Sequence, residues 1–130
     1  MKRLVDLYFS DWQRNPDRKP LLLRGARQVG KTYAVRNLGV TFEQFIEINL
    51  EQQPKVASVF EPDLDAQRIV RDLEILFQKP IVPGKSLLFF DEIQAAPKAI
   101  AALRYLHEQI PGLHVIAAGS LLEFQLQSTG

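Results

Sequence analysis

The chain has 130 residues, of which 46% are hydrophobic and 24% are charged, a composition typical of a single soluble globular domain. Its net charge of +1 is too small for the basic footprint of a dedicated nucleic-acid binder, so charge gives no support to a nucleic-acid partner. The lack of cysteine excludes disulfides and thiolate chemistry in this chain. No apolar run reaches the ~20 residues of a membrane helix, so we expect no membrane partner. The lack of cysteine leads us to expect a reducing, cytoplasmic location.

The first predicted element is an amphipathic helix near the N-terminus. Its apolar residues recur at helical spacing and are Leu4, Val5, Tyr8 and Trp12. Prolines in the segment 14–20 end this helix. Leu21–Leu23 is wholly apolar, as expected of a short strand buried on both faces. After a glycine-containing turn, Thr32–Leu38 is predicted to be helical.

Strands and helices alternate through the rest of the chain, apart from segment 51–63, which is predicted as a loop with one helical turn. The other predicted elements are, in chain order, a strand at Phe45–Leu50, a helix at Asp65–Gln78, a strand at 86–93, a helix at Pro97–Gln109, a strand at His114–Ser120 and a short helix in the tail 121–130. Because the strands are apolar on both faces and helices separate them, the pattern predicts an α/β fold with a mostly parallel sheet covered by helices.

The segment Gly25–Thr32, "GARQVGKT", has the spacing G-x-x-x-x-G-K-[ST] of a phosphate-binding loop. Glycines allow the backbone to wrap closely around a phosphate, so that successive N–H groups face its oxygens. The helix that follows adds free N–H groups and the positive end of its dipole. Lys31 is expected against the β- and γ-phosphates, and the Thr32 hydroxyl in a magnesium shell. The alternative is a strand-to-helix turn with a chance lysine, and the flanking strand and helix argue against it.

A second Gly-Lys-Ser in the chain provides a comparison. It lies at Gly84–Ser86, but Lys79 stands where the motif requires its first glycine. A strand follows this segment instead of a helix, so we predict an ordinary loop here.

The predicted strand "LLFF" runs directly into Asp91 and Glu92. This places two carboxylates at the C-terminal edge of a buried strand, where open α/β sheets bind ligands. Asp91 is expected to hold Mg²⁺ through water, and Glu92 to orient and polarise a water for attack on a γ-phosphate. Seen alone, such acids are more often solvated strand caps, and the phosphate loop is what favours the catalytic interpretation.

Two further side chains have alternative interpretations. Ser120 reaches the γ-phosphate region as a polar sensor if its strand lies between the other two, or else it belongs to a turn. Gln94 either relays to the acid pair or caps the next loop. His107 and His114 have no companion ligands in the sequence, which argues against a metal site built on histidine.

Three functions are compatible with these residues. The leading hypothesis is a Mg-ATP-dependent ATPase core, because a mere phosphate binder does not need Glu92 beside Asp91. The second is a nucleotide-gated binding or signalling module with negligible hydrolysis. A small-molecule kinase ranks third, because no arginine-rich lid follows the last strand and the acid pair points to water as the acceptor.

The motifs "GARQVGKT", "LLFFDEIQ" and "VIAAGS", in this order, resemble those of the AAA+ P-loop ATPases. The wordings "RQVGKT" and "DEIQ" narrow the resemblance to prokaryotic ATPases that carry a C-terminal nuclease-like domain of unknown function. The resemblance implies a three-layer P-loop core of the additional-strand type, with ATP and Mg²⁺ as cofactors. An N-terminal helix within residues 1–15 and a P-loop core over 20–130 would then form one partial ATPase domain.

The same resemblance implies roles for individual residues. Lys31 and Glu92 would be catalytic, together with Ser120 at the sensor position, where many relatives have asparagine. Thr32 and Asp91 would hold the metal. The nucleotide-binding residues would be Gly25, Ala26, Arg27, Gln28, Val29, Gly30, Lys31, Thr32 and Tyr33.

The strand order of these relatives, 5-1-4-3-2, leads to expectations about the sheet and its partners. Relatives continue to a fifth strand, so a core that stops at Gly130 is expected to be truncated after its fourth strand. Leu21–Leu23 would then be an exposed apolar edge that can pair with another copy. Phe45–Leu50 is expected to be the additional strand, inserted between the strand before the phosphate loop and the strand that carries the acids. The remaining implied partner is a C-terminal domain outside the chain.

Overall fold

The structure, a computed structural model, describes the backbone of residues 4–24 and 29–119 and the side chains of residues 9–23 and 32–119. The helices are α1 Leu4–Arg14, α2 Val29–Gly39, α3 Ala66–Phe77 and α4 Pro97–Gln109, with 3₁₀ segments at Pro54–Phe60 and Ile93–Ala95. The strands are β1 Leu21–Arg24, β2 Gln44–Asn49, β3 Ser86–Asp91 and β4 His114–Gly119. Within the described part of the chain, no helix has the length and apolar character needed to cross a membrane.

The four strands form one parallel sheet in the order β1-β4-β3-β2, which confirms the predicted α/β fold. The expectation that Phe45–Leu50 is the additional strand is wrong, because β2 lies at an edge of the sheet and β4 is the strand between β1 and β3. Burial explains the difference. In β2 only Ile46 and Ile48 are buried, whereas β4 is buried at every position except Ala118, as a central parallel strand requires.

The opposite edge of the sheet is formed by β1. Among the described residues β1 pairs only with β4, in the register Leu21 to Ile116. Leu21 is buried, while Leu22 and Leu23 are partly exposed. Among the described residues β1 is therefore an end strand of the sheet, while its exposure and its pairing with another copy stay predictions.

Apolar side chains cover both faces of the sheet and give the fold three layers. One face packs under α3, α4 and the 3₁₀ helix, and its strand residues are Ile46, Ile48, Leu88, Phe90, Val115 and Ala117. The other face packs under α1 and α2, and its strand residues are Leu21, Leu87, Phe89 and Ile116. Because β3 contributes to both sets, it is buried on both faces, as its apolar run predicted.

The helix boundaries follow local signals. The prediction for α4 is confirmed at both ends, and α3 lies one residue inside each end of its predicted span. Asp65 caps α3 by accepting a hydrogen bond from the Arg68 N–H at 3.2 Å, and Gln78 ends it in a left-handed conformation. Segment 51–63 differs from its prediction, because it contains a seven-residue 3₁₀ helix. The three- and four-residue spacing of its apolar side chains places one side in the core, namely Val56, Val59 and Phe60.

A buried histidine anchors the N-terminal helix to the sheet. His114, at the start of β4, has its Nε2 3.0 Å from the Gln13 carbonyl oxygen and its Nδ1 3.0 Å from Arg18 Nη2. Because the arginine can only donate, Nδ1 must accept and Nε2 must carry the proton, so the ring is neutral. The rings of Trp12 and Phe42 meet the imidazole edge-on, with centroids 5.4 and 4.8 Å away.

We expect this anchor to weaken in mild acid. Burial lowers the pKa of His114, the hydrogen bond to Gln13 opposes this, and the positive charge of Arg18 lowers the pKa again. The unfolded chain therefore takes up the proton more readily than the folded chain. The contribution of His114 to stability is present above the ordinary pKa of about 6.5 and is lost as the pH falls below it.

Urea unfolding between pH 7.5 and 5.5 measures this effect. The free energy of unfolding of the wild type should fall over this range, and that of His114→Gln should fall less. Equal slopes for wild type and His114→Gln would contradict the assignment.

Candidate functional site

The C-terminal ends of β1, β4 and β3 meet at one edge of the sheet, because the strands are parallel. Arg24 pairs with Gly119, and Phe90, directly before Asp91, pairs with Ala117. Only residues 25–28 separate the end of β1 from the start of α2. So short a connection reaches at most ~18 Å, which keeps the N-terminus of α2 close to this edge. The N-terminus of α2 and the acid pair therefore lie near the same edge of the sheet.

The two acids differ in their surroundings. Asp91 ends β3, is partly exposed, and accepts a hydrogen bond through Oδ1 from the Glu92 N–H at 2.9 Å. Glu92 is only 5% exposed and has a left-handed backbone, with φ 53° and ψ 45°. Residues other than glycine rarely adopt this conformation, and such strain is concentrated at functional sites.

Gln94 contacts the buried acid. A 3₁₀ turn at Ile93–Ala95 brings the two side chains together, and Gln94 Nε2 donates to Glu92 Oε2 at 3.1 Å. The first residue before α4 is Ala96, which provides no side-chain cap. The structure therefore shows Gln94 in contact with the acid pair, and its role as a relay stays a prediction.

The described structure covers the other predicted site residues unevenly. Those outside the described residues are Gly25, Ala26, Arg27, Gln28 and Ser120. Val29, Gly30 and Lys31 form the first turn of α2, which begins earlier than the predicted Thr32, and their side chains are not described. Thr32 is partly exposed and Tyr33 is 56% exposed. The roles of these residues in binding a nucleotide stay predictions.

The oxygen donors near this edge suit magnesium. Asp91 supplies a carboxylate at the end of β3, and Thr32 a hydroxyl at the start of α2. Mg²⁺ takes oxygen ligands, and in nucleotide sites it uses one or two protein groups together with water and substrate phosphates. The residues present therefore fit a magnesium–nucleotide complex.

The second Gly-Lys-Ser is an ordinary turn, as predicted. Gly84 has a positive φ of 84° and donates its N–H to the Gly112 carbonyl at 3.0 Å. The Ser86 hydroxyl donates to the Pro80 carbonyl at 3.2 Å and accepts from the Val82 N–H at 2.9 Å. Its polar groups are therefore used within the fold.

An ion pair that the sequence did not predict ties α2 to the sheet. Arg36 forms two hydrogen bonds of 2.8 Å with the carboxylate of Glu47 in β2. These hydrogen bonds, and secondarily the charge of Glu47, raise the pKa of Arg36. The only signal in the sequence was the opposite charge of Arg36 and Glu47 on neighbouring elements. The pair could be recognised only once the packing of α2 over the sheet was known.

Comparison with known proteins identifies a family that this chain matches. Residues 17–130 match the profile of a family described as an AAA domain. A search of curated proteins gave no match. The matched region contains all four strands, the predicted phosphate loop and the acid pair. Because the match covers most of the chain, the chain belongs to the AAA domain family of nucleotide-binding, P-loop ATPase-type proteins.

Proposed function

We propose that this chain binds ATP and hydrolyses it with Mg²⁺, and that hydrolysis drives or switches a partner domain outside the chain. One observation carries the proposal. The carboxylate of Glu92 is nearly buried and directly follows Asp91, at the edge of the sheet near which α2 begins. Holding a phosphate requires N–H groups and a cation but no buried acid. A positioned acid is what the activation of water requires.

The phosphate loop would supply the binding. The backbone of Gly25–Gly30 and the first turn of α2 offer N–H groups to the phosphate oxygens, and Lys31 balances the charge of the β- and γ-phosphates. Thr32 and Asp91 would hold Mg²⁺, which when bound offsets phosphate charge and orients the γ-phosphate.

Glu92 would act as the general base. Its carboxylate orients a water and accepts a proton from it as the water oxygen bonds to the γ-phosphorus. The bond from that phosphorus to the β–γ bridging oxygen breaks, and the products are ADP and inorganic phosphate. Ser120 directly follows β4, the strand between β1 and β3, and we assign it as a polar sensor of the γ-phosphate.

Lys31→Ala tests the binding half of the proposal. The variant loses a charged hydrogen bond worth about 1.5–3 kcal/mol, so we expect ATP affinity to fall roughly 10- to 100-fold. Titration calorimetry with Mg-ATP measures the dissociation constant. Lys85→Ala is the matched control, because Lys85 belongs to the second Gly-Lys-Ser and lies 3.8 Å from Glu43 on the surface. Equal affinities for Lys31→Ala and wild type would contradict the proposed loop.

The partner domain is supported by the resemblance of "RQVGKT" and "DEIQ" to ATPases with a C-terminal nuclease-like domain. We expect such a domain to form a complex with this chain and to change its turnover. Phosphate release and size-exclusion chromatography, with and without the added domain, measure both effects. Unchanged turnover together with no complex would contradict this part of the proposal.

A further inference from the structure

The side chain of Gln94 lies between the ends of β3 and β4. Its Nε2 donates to Glu92 Oε2 at 3.1 Å. Because a carboxylate can only accept, this bond fixes which end of the amide faces Glu92. Oε1 therefore faces away from the acid, and it lies against Gly119 at the end of β4. This oxygen is buried and has no hydrogen-bond partner among the described residues.

The lack of a side chain at Gly119 leaves room for this amide. Its φ is not positive, so the backbone here would accept other residues. A Cβ added at Gly119 would collide with Gln94 Oε1, whereas the next nearest atoms, Gln94 Cδ and Ile93 Cγ2, are both at an ordinary 3.5 Å. The space that a side chain would need at this position is therefore filled by one atom, the amide oxygen of Gln94.

We propose that Gln94 is a positioning residue, which fixes the Glu92 carboxylate relative to the end of β4. The proposal rests on the proposed ATPase function, in which Glu92 is the general base. A hydrogen bond to a carboxylate is strong and directional, so the bond from Gln94 holds Oε2 of Glu92 in one position. Contact with Gly119 prevents the amide from turning away. An acceptor that is buried without a partner among the described residues, as Oε1 of Gln94 is, is unfavourable for folding, and such exceptions call for a functional reason.

Two substitutions separate positioning from packing. Gln94→Ala removes the amide, and Gln94→Met fills a similar volume without an N–H donor. Displacement of a reacting group by about 1 Å can lower a rate ~100-fold, so we expect both variants to reduce kcat for ATP roughly 10- to 100-fold. KM for ATP should stay within about twofold, because phosphate binding uses other groups. Wild-type kcat in Gln94→Met would overturn the proposal.

The contact with Gly119 supplies an independent test. Gly119→Ala should lower kcat in the wild-type background, because the new methyl group displaces the Gln94 amide. In the Gln94→Ala background the same change should have no further effect, since the space is open. An equal loss in both backgrounds would show that Gly119→Ala acts through another route and would overturn the coupling. If Gly119→Ala fails to fold, Gln94→Met decides alone.

Gln109→Ala is the matched control, because Gln109 is a glutamine at the C-terminal end of α4, away from Glu92. Gln109 Oε1 accepts a hydrogen bond from the Ala66 N–H at 3.0 Å, so its loss should lower the melting temperature and leave kcat unchanged. A wild type that binds ATP without hydrolysing it would refute the proposed function and, with it, the positioning role. An active wild type with an equally active Gln94→Met would refute the positioning role alone.

Discussion

Glu92→Gln is expected to lower ATP turnover roughly 10²- to 10⁴-fold, the range attributed to a positioned general base, while ATP affinity changes little. The amide has nearly the shape of the carboxylate but cannot accept the proton of an attacking water. Glu92 is 5% exposed, so few solvent molecules can reach this position and accept the proton in its place. In the proposed mechanism the phosphate contacts are made by the loop and Lys31, which the substitution leaves intact. Phosphate release under saturating Mg-ATP measures turnover, and equilibrium titration measures affinity.

Glu61→Gln provides the control for this substitution. Glu61 pairs with Lys98 at the surface, and both side chains are well exposed, so its neutralisation should leave turnover unchanged. Wild-type turnover in Glu92→Gln would remove Glu92 from the mechanism. Tight ATP binding without turnover in any variant, wild type included, would instead favour a nucleotide-gated binding module.

Local patterns in the sequence were sufficient for most elements of the fold. The apolar run before Asp91 predicted a strand buried on both faces, and Pro97 marked the start of α4. Strand order does not follow from local patterns. The expectation that Phe45–Leu50 is inserted between two other strands was therefore wrong. The alternation of Glu47 and Asn49 with buried isoleucines was the signal of an edge strand, and it outweighs the position of the strand along the chain.

The candidate site also has parts that local sequence predicts and parts that depend on packing. Asp91 and Glu92 could be predicted because an acid pair after a buried strand is a local signal with a known place in parallel sheets. The contact of Gln94 with Gly119 could not, because it depends on how the end of β4 lies beside the turn that follows β3. The same holds for His114, whose ring meets Arg18 across 96 residues of sequence.

Phe90→Ala is expected to destabilise the fold by about 3–5 kcal/mol, the usual loss for a large aromatic side chain removed from a packed core. Phe90 is 1% exposed, and its ring lies edge-on to that of Phe60 with centroids 6.0 Å apart. Such a loss is a large part of the roughly 5–15 kcal/mol that stabilises a typical domain. Urea unfolding measures it, and Ile75→Ala is the control, because Ile75 is 68% exposed and should change stability by less than about 0.5 kcal/mol.

The position of Phe90 gives this substitution a second consequence. Phe90 directly precedes Asp91, so the cavity left by its ring lies beneath the end of the strand that holds the acid pair. Phe60→Ala empties the other half of the same aromatic contact, but Phe60 belongs to the 3₁₀ helix Pro54–Phe60 and not to the strand that holds the acids. If packing of β3 positions the acids, turnover per folded molecule should fall in Phe90→Ala and stay near wild type in Phe60→Ala, even where both lose similar stability. Equal turnover per folded molecule in the two variants would show that the acid pair is held by its own hydrogen bonds and not by the core beneath it.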